Sequence, residues 1–443
     1  MVLIVAVYTG FAVPLIPIGT EDIRMADVFS ADEALAAAVV RHLHSNQTIV
    51  LETFSYGGLS YYLPLMVISA WGSLVGGVSD QVVILVMRSL CTLAGFGCLW
   101  LTYCVGRLAF GQTVGIIAAF LLVSTPVFLR WSVEIHPDLP QLFWLLCALY
   151  WCARLCQSVN FRSAIYASLF SGLAFGTKYS GLFVLPVIGM IMVFVDSSGR
   201  LAIRNAIWRL REPRTALGLA LIATVFALSF LATNPYAFLN FQEFQRDVSF
   251  ERSHLSFGHT LQADHAGLNW LLDLFGVSGM VNGAFFLIGV CMALFRTRLG
   301  LGKISTIQVM FAIWIGIYVG YLVLAANFRA PRHLMPVLPF VLLFAADSYD
   351  KGWNWIFDRW GKTAGAFAII GLLAFSAGHF KQSISLFQQK ANRVDDHSEI
   401  AAGLWISENF EATSSVLFDA YSYVPSKFSR VYRSFGQSYS MVT

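Results

Sequence analysis

Charged residues are scarce in this chain: Lys, Arg, Asp and Glu together make up 12% of its 443 residues. Soluble domains carry about 25% of these residues, so the scarcity excludes an ordinary water-soluble protein. Hydrophobic residues reach 57% of the chain, and the mean hydropathy is +0.67. These values indicate an integral membrane protein.

Three further absences narrow the class of function. The sequence contains no GxxxxGK[ST] loop, so it offers no backbone cradle for a nucleoside triphosphate. It contains no CxxC pair, and all seven cysteines lie in apolar segments, which excludes a cysteine-type metal motif and argues against disulfides. No basic arm or RNA-binding signature occurs, so we expect no nucleic-acid partner.

Long apolar runs, by contrast, are abundant, and a run of about 20 residues can span a bilayer. They predict an all-α polytopic membrane domain over residues 1–378 with about eleven transmembrane helices. The predicted helices are 2–18, 83–106, 113–129, 139–156, 164–177, 180–195, 215–233, 270–295, 306–326, 334–348 and 364–378. A further apolar stretch, 61–78, is predicted to lie at the membrane interface.

Charge placement predicts the orientation. With 61–78 at the interface, fourteen Lys and Arg residues fall on one face and eight on the other. Basic loops favour the cytoplasm, so we expect the N-terminus inside and residues 379–443 outside. This tail reads as a helix followed by a strand and turn, typical of a short α/β soluble segment. It ends without an evident closing element, which is typical of a truncated domain.

Acids and imidazoles gather on the predicted outer face. Asp32 and Glu33 begin a predicted helix in the first outer loop, and Glu134, His136 and Asp138 precede the fourth predicted span. Acids also favour helix N-termini simply because of the helix dipole. A carboxylate at the membrane surface can alternatively act as a general base, and ionisable residues at membrane depth favour a functional site.

Basic residues at outer helix ends form a second set. Lys178 lies in "GLAFGTKYSGLFVLP", and Arg329, Arg332 and His333 lie in "NFRAPRHLMPVLP". Such side chains often only extend to the interface, but the planar guanidinium also suits phosphate oxygens.

A long aromatic loop, "NPYAFLNFQEFQRDVSFERSHLSFGHTLQADHAG", predicts a surface helix beside the site, because loops of this length are usually functional or disordered and its phenylalanines disfavour disorder. Its Glu251 and His254, together with Glu134 and His136, are candidate substrate-binding residues.

The order of these stretches resembles the polyprenyl-phosphate-sugar-dependent glycosyltransferases of the GT-C fold. It is most similar to bacterial relatives of the protein O-mannosyltransferases and of the lipid A aminoarabinose transferase. The matching stretches include "SADEALAAA", "LSYYLPLMVISAWGSLVG", "RWSVEIHPDLPQLFWLL", "GLAFGTKYSGLFVLP" and "RAPRHLMPVLPFVLLFAA". One departure is "SYYLPL", where relatives often have two adjacent prolines.

The resemblance implies interfacial helices in the first outer loop and catalytic carboxylates at Asp32, Glu33 and Asp138. It also implies a donor-phosphate site, whose members are Lys178, Arg329, Arg332 and His333. The implied reaction transfers a sugar, mannose-like or another hexose or pentose, from a polyprenyl-phosphate donor to a protein, lipid or glycan acceptor. It would take place on the outer face of a bacterial-type plasma membrane, with inversion.

Several alternatives stay open at this point. Asp138 has three candidate roles, namely orienting the acceptor, supporting the donor sugar or helping to hold a divalent metal, and metal dependence is unknown. The rival class is a multi-pass transporter or lipid flippase. Transporters often have repeated halves and charges near the bilayer midplane, whereas here the charges gather at outer helix ends. A catalytically silent scaffold is the third class.

Overall fold

The fold is taken from a computed structural model, which describes residues 1–443 except 21, 23, 258–265, 296–304, 397, 419–421, 426, 436–437 and 443. Some residues predicted to lie in loops fall outside the described part of the chain: His259, His265, Arg296, Arg298 and Lys303.

Helices dominate the described residues. In chain order they are α1 Val2–Ala12, α2 Ala26–Phe29, α3 Ala31–Ser45, α4 Leu59–Val75, α5 Asp80–Ala109, α6 Gln112–Ser124, α7 Pro126–Trp131, α8 Asp138–Gln157, α9 Phe161–Thr177, α10 Val184–Phe194, α11 Ala206–Leu210, α12 Pro213–Thr233, α13 Pro235–Leu239, α14 Phe241–Phe257, α15 Asn269–Ser278, α16 Met280–Leu294, α17 Thr306–Ala325, α18 Leu338–Asp396 and α19 Ser398–Asn409. Short 3₁₀ turns occupy Val13–Leu15, Tyr179–Phe183, Ile203–Asn205 and Pro331–Leu334.

Four described helices, α5, α8, α12 and α17, are long and apolar enough to cross a bilayer. A fifth crossing is possible if α15 and α16 form one broken span. Shorter apolar helices occupy Val2–Leu15, Leu59–Val75, Gln112–Ser124 and Tyr179–Phe194. The chain is thus a multi-pass membrane protein, while the count of eleven crossings and the interfacial position of 61–78 stay predictions.

Two predicted helices are interrupted. The helix predicted over 113–129 stops at Ser124, because Pro126 disfavours helical geometry at Thr125, whose φ and ψ are −79° and 122°. The helix predicted over 270–295 is bent by 109° at Gly279, whose φ of 87° lies in the region that favours glycine. A third break falls within α18 at Gly361.

Helix α8 lies at the centre of the bundle, packed against α5 and α9. Most of its surface is buried, and its apolar residues belong to the main core. A second apolar core joins α3 and α4 to the outer end of α5, around Val40, Leu43 and Phe54. The segment between α1 and α5, predicted to be the first outer loop, therefore packs on the bundle near the N-terminus of α8.

The tail contains α19 and a three-stranded sheet, with strands β1 Ser415–Phe418, β2 Arg430–Phe435 and β3 Ser438–Val442. Strand β1 pairs parallel to β2, and β2 pairs antiparallel to β3. The tail contacts the first outer loop, since Arg24 donates to the carbonyl oxygens of Pro425 and Phe428. Met25 and Val28 also share an apolar cluster with Ile400 and Tyr423.

Candidate active site

A buried ion pair fixes the start of α3. Arg88, on α5, places its Nε and Nη2 atoms 2.7 and 2.9 Å from the two carboxylate oxygens of Glu33, and both side chains are 0% exposed. Glu33 also accepts the backbone N–H of Ile135 at 3.0 Å. The guanidinium donates further to the carbonyl oxygens of Ile16 and Ile18. This pair therefore joins α3, α5 and the loop before α8.

The loop 132–137, which connects α7 to α8, is buried along its length. Helix α5 contacts this loop at two points. The Thr92 hydroxyl donates to the carbonyl oxygen of Ser132 at 2.8 Å, and the Cys91 thiol lies 3.9 Å from the carbonyl oxygen of His136. Pro137 directly precedes α8, and the fixed φ of its ring suits the start of a helix. As a result, His136 and Asp138 lie buried at the N-terminus of α8.

Three of the predicted residues meet in one carboxylate–imidazole cluster. His136 Nδ1 lies 2.7 Å from Asp138 Oδ2, and His136 Nε2 lies 3.4 Å from Asp32 Oδ2. The Asp138 side chain is 2% exposed, whereas that of Asp32 is 39% exposed. Asp32 is thus the carboxylate of this cluster that incoming molecules can reach.

Two cations complete the cluster. Lys178 Nζ contacts Asp138 Oδ1 at 2.5 Å. Arg332 lies between the acids, 3.7 Å from Asp138 Oδ2 and 4.0 Å from Asp32 Oδ2. Burial alone would raise the pKa of Asp32, but the hydrogen bond and charge of His136, with the charges of Arg332 and Lys178, outweigh it and lower the pKa to about 2. Asp32 therefore stays ionised.

Backbone contacts fix the position of Lys178. It directly follows α9, and the amide of Gln141 on α8 donates to its carbonyl oxygen at 2.8 Å and to Ser180 Oγ at 2.9 Å. Gly57 packs against the end of the same helix, where a Cβ would overlap the carbonyl oxygen of Gly176. The neighbouring Tyr56 thereby reaches His136 Nε2 with its hydroxyl at 3.2 Å.

An aromatic ring stands between two arginines. The guanidinium carbons of Arg130 and Arg332 lie 5.3 and 5.2 Å from the Trp131 ring centroid, which is cation–π geometry. The same indole lies 4.7 Å, centroid to centroid, from His136. Trp131 and Arg332 thus contact the carboxylate–imidazole cluster and also line a neighbouring cavity.

That cavity, here called the arginine cavity, has a volume of about 750 Å³ and is lined by Arg130, Trp131, Asp273, Arg329 and Arg332. Arg329 is already paired with Asp273 through contacts of 2.7 and 2.5 Å. The structure therefore brings Arg332 to the acids but holds Arg329 at the cavity wall. Glu134 is 3.3 Å from Arg130 and 3% exposed.

An apolar groove of about 250 Å³ ends at His136 and Tyr56. Its walls come from α4, α5 and α8 and include Pro64, Leu93 and Phe143. Leu93, on α5, is 64% exposed. The groove thus leads from an exposed apolar surface of the helices to His136.

The remaining predicted residues lie around this centre. His333 sits between Trp270 and Phe328, at ring distances of 6.1 and 5.8 Å, and burial, followed by the charge of Lys178, lowers its pKa well below 6.5. On α14, burial raises the pKa of Glu251. His254 lies farther along α14, with its ring 5.0 Å from that of Phe328.

Sequence reasoning missed three residues of the site: Tyr56, Arg88 and Trp131. Arg88 carried a readable signal, because an arginine within an apolar span is costly unless it has a partner. Tyr56 and Trp131 are two among many aromatics, and their role depends on tertiary contacts that no spacing reveals.

The acids do not form a metal centre. Among the described residues, no group of three or more His, Cys, Asp and Glu side chains is arranged to hold a metal ion. Asp138 is already engaged by His136 and Lys178. The residues that the structure describes thus show no arrangement that fits a divalent metal.

Comparisons with known proteins agree on the fold. Residues 64–234 match the family model of the dolichyl-phosphate-mannose-protein mannosyltransferases, a range that includes Asp138 and Lys178 but begins after Asp32. No curated protein sequence matches the chain.

Two solved structures are similar. The archaeal oligosaccharyltransferase AglB from Archaeoglobus fulgidus, in complex with an inhibitory peptide and a dolichol-phosphate, has a TM-score of 0.59 and 14% identity over 92% of this chain. The chain spans only 57% of the length of that enzyme. ArnT from Cupriavidus metallidurans, bound to undecaprenyl phosphate, has a TM-score of 0.57 and 13% identity, covering 98% of this chain and 85% of its own. The resemblance predicted from the sequence is therefore confirmed, and the chain has the fold of the GT-C glycosyltransferases.

Proposed function

We propose that the chain is a membrane glycosyltransferase that moves a sugar from a polyprenyl-phosphate donor to an acceptor, with inversion. The observation that carries the proposal is the contrast within the cluster: Asp32 is 39% exposed beside two cations, whereas Asp138 is 2% exposed and locked between His136 and Lys178. An accessible carboxylate can take the proton of an acceptor, and the cations beside it can stabilise a leaving phosphate.

The donor is a lipid-linked phosphate. Lys178 and Arg332 offer positive charge at the cluster, and the apolar groove ends at His136 of the same cluster. An isoprenoid chain in the groove would bring its phosphate to these cations. The similar structures of ArnT and AglB contain undecaprenyl phosphate and dolichol-phosphate, which supports this class of donor.

The reaction is a single displacement. Asp32 takes the proton of the acceptor hydroxyl or amine, the acceptor atom attacks the anomeric carbon, and the bonding electrons of the breaking C–O bond leave with the phosphate. Retaining glycosidases need a second carboxylate as nucleophile. Asp138 is buried and held by an ammonium and an imidazole, so it is unsuited to that role, and inversion follows.

The match to mannosyltransferases favours a mannose-like sugar, although other hexoses and pentoses fit the same chemistry. The acceptor is a protein, lipid or glycan on the extracytoplasmic face of a bacterial-type plasma membrane. Glu134, His136, Glu251 and His254 stay candidates for binding the substrates, and Arg329 and His333 for the donor phosphate.

The test is sugar transfer in membranes that contain the protein, supplied with radiolabelled polyprenyl-phosphate sugars. We expect transfer by the wild type and a loss of roughly 10²–10⁴-fold in Asp32→Asn, the usual contribution of a general base. The matched control is Glu52→Gln, which neutralises an exposed acid of the same outer loop and should leave transfer unchanged.

Equal transfer by wild type and Asp32→Asn would assign the base to another residue. Wild-type protein that is folded yet transfers from no donor would overturn the proposed function in favour of a transporter or flippase.

A further inference from the structure

Residues 194–204, at the end of the bundle away from the carboxylate–imidazole cluster, fold into a tight hairpin that leads into a 3₁₀ turn. This segment is here called the basic hairpin. Its two arms are joined by an antiparallel bridge. The Asp196 carboxylate closes the turn, because it accepts the N–H groups of Ser198 and Arg200 and the Ser198 hydroxyl. The basic hairpin thus has a defined shape of its own.

The basic hairpin is fixed to two helices. Gly199 has a φ of 77°, and a Cβ at this position would lie 2.6 Å from the carbonyl oxygen of Cys156 at the end of α8. Thr306, at the start of α17, donates its hydroxyl to the carbonyl oxygen of Gly199 at 2.8 Å. Helix α8 has 20 residues and is about 30 Å long, which matches the hydrocarbon core of a bilayer. The basic hairpin should therefore lie at the membrane surface opposite the cluster.

A second apolar cavity, here called the hairpin cavity, lies between the basic hairpin, α10 and α17 and has a volume of about 210 Å³. It follows the last two turns of α10 and the first two turns of α17, so it extends about 10 Å along the helices. The described residues that line it are apolar except Thr306. Met190, Phe194 and Ile313 of the lining are half-buried, so the cavity opens at the surface of the bundle. This shape suits an apolar chain.

Arginines are concentrated next to the hairpin cavity. The segment 196–214 contains only two acids but five arginines, namely Arg200, Arg204, Arg209, Arg211 and Arg214. Two of them, Arg200 and Arg204, are exposed, and neither forms a salt bridge within the described part of the chain. They adjoin Leu201 and Ile203, which both line the cavity. Two guanidinium groups are therefore available to bind an anion beside an apolar cavity.

Exposed apolar side chains continue from the basic hairpin into α11. Ile203, Ile207 and Trp208 are all exposed, although they lie among the arginines. A surface that combines exposed apolar and basic side chains is typical of a segment at a membrane interface. The surroundings of the hairpin cavity thus indicate contact with lipid.

We propose that the basic hairpin and the hairpin cavity together bind one anionic phospholipid. The head-group phosphate contacts Arg200 and Arg204, because the planar guanidinium suits phosphate oxygens. One acyl chain occupies the cavity. Basic residues next to a membrane-spanning helix attract anionic lipids, whereas a zwitterionic lipid brings its own cation against the two arginines. This site does not depend on the proposed function, since it lies at the other end of α8 from Asp138.

The test is native mass spectrometry of the full chain in detergent, which counts the bound lipids during a titration. We expect dioleoylphosphatidylglycerol to bind at least about tenfold more tightly than dioleoylphosphatidylcholine, because each arginine near the head group contributes about fivefold. Glycerol 3-phosphate has the anionic group but no chain, and it should not compete at the same concentration. Equal binding of the two lipids, or competition by glycerol 3-phosphate, would overturn the site.

Charge-removing variants locate the head group. Arg200→Gln combined with Arg204→Gln should weaken the binding of phosphatidylglycerol by roughly 20–30-fold. The matched control combines Arg211→Gln with Arg214→Gln, whose guanidinium groups lie over the rings of Trp208 and Phe161 instead. It removes the same charge from the same segment and should change the affinity by less than about threefold. Equal losses in the two double variants would mean general surface attraction and would contradict a defined site.

A cavity variant tests the acyl chain separately. Val309→Phe fills part of the hairpin cavity and keeps every charge. We expect about tenfold weaker binding of phosphatidylglycerol, because the larger side chain excludes about two methylene groups of the lipid. If this variant does not fold, Met190→Gln places a polar amide in the same cavity, with the same expected result. Unchanged affinity in a folded cavity variant would overturn the proposal.

Discussion

Asp32 and Glu33 are neighbours in the chain, yet their carboxylates have opposite environments. Glu33 is fully buried, with Arg88 on both oxygens and the N–H of Ile135 on one of them. Asp32 is 39% exposed, and its contacts with His136 and Arg332 are long, at 3.4 and 4.0 Å. The Glu33–Arg88 pair, here called the closed pair, holds three segments together. The cluster of Asp32, His136 and Asp138, here called the open cluster, keeps a carboxylate available to another molecule.

Burial and pairing distinguish charged residues that stabilise the fold from charged residues that are available to react. A buried ion pair whose polar atoms all have close partners cannot contact a substrate, so its role is to hold neighbouring segments in position. Breaking it leaves an unpaired charge in the interior, which is strongly destabilising. The open cluster should behave in the opposite way, so that substitutions change the reaction more than the fold.

The largest effect, a loss of folding stability, is expected when the closed pair is broken. Arg88→Met leaves the Glu33 carboxylate buried and unpaired, which should cost about 3–5 kcal/mol of stability. The double variant Glu33→Gln with Arg88→Met should recover part of this loss, because it removes the stranded charge. Thermal unfolding in detergent, followed by tryptophan fluorescence, measures the melting midpoints. We expect the wild type to have the highest midpoint, the double variant an intermediate one and Arg88→Met the lowest.

The matched control for this experiment is Arg41→Met. Arg41 and Asp80 also join α3 to α5, but their side chains are 36% and 39% exposed. An exposed pair contributes only about 0–1 kcal/mol. If both arginine variants lower the midpoint equally, burial is not what distinguishes the closed pair.

A smaller effect is expected at the edge of the open cluster. Arg332→Lys keeps the charge but loses the planar group that lies over Trp131 and reaches both acids. The donor KM should rise about tenfold, equivalent to about 1.4 kcal/mol, with an unchanged melting midpoint. A lower melting midpoint with an unchanged donor KM would mean that Arg332 stabilises the fold and does not bind the donor.

The smallest effect is expected at Arg329. Its guanidinium is already bound by Asp273 and is 41% exposed, so little of its charge is free for a donor phosphate. Arg329→Gln should change the donor KM by less than about threefold. A change as large as that of Arg332→Lys would mean that the donor phosphate occupies the arginine cavity.

Much of this site could be predicted from the sequence, because helix ends at one membrane face must lie close together. That argument brought Asp32, Asp138 and Lys178 to one face, and the structure joins Asp138 to Lys178 directly. It could not separate Asp32 from Glu33. Successive helical residues point about 100° apart, and only the position of Arg88 decides which one is buried.

The break at Gly279 was also beyond the sequence, since an apolar run of 26 residues reads as one span whether or not it is bent. In contrast, the stop before Pro126 follows from a local rule of backbone sterics. Local rules therefore predict ends and interruptions better than they predict tertiary partners.

The contact between Arg24 and the tail can form only late in the synthesis of the chain. Arg24 and Pro425 are separated by 401 positions along the chain. At a synthesis rate of about 5–20 residues per second, roughly 20–80 s pass between translation of the two. During that interval the segment leading to Asp32 has left the ribosome without its partner. The packing of this segment against the tail is thus completed only after Pro425 has been made.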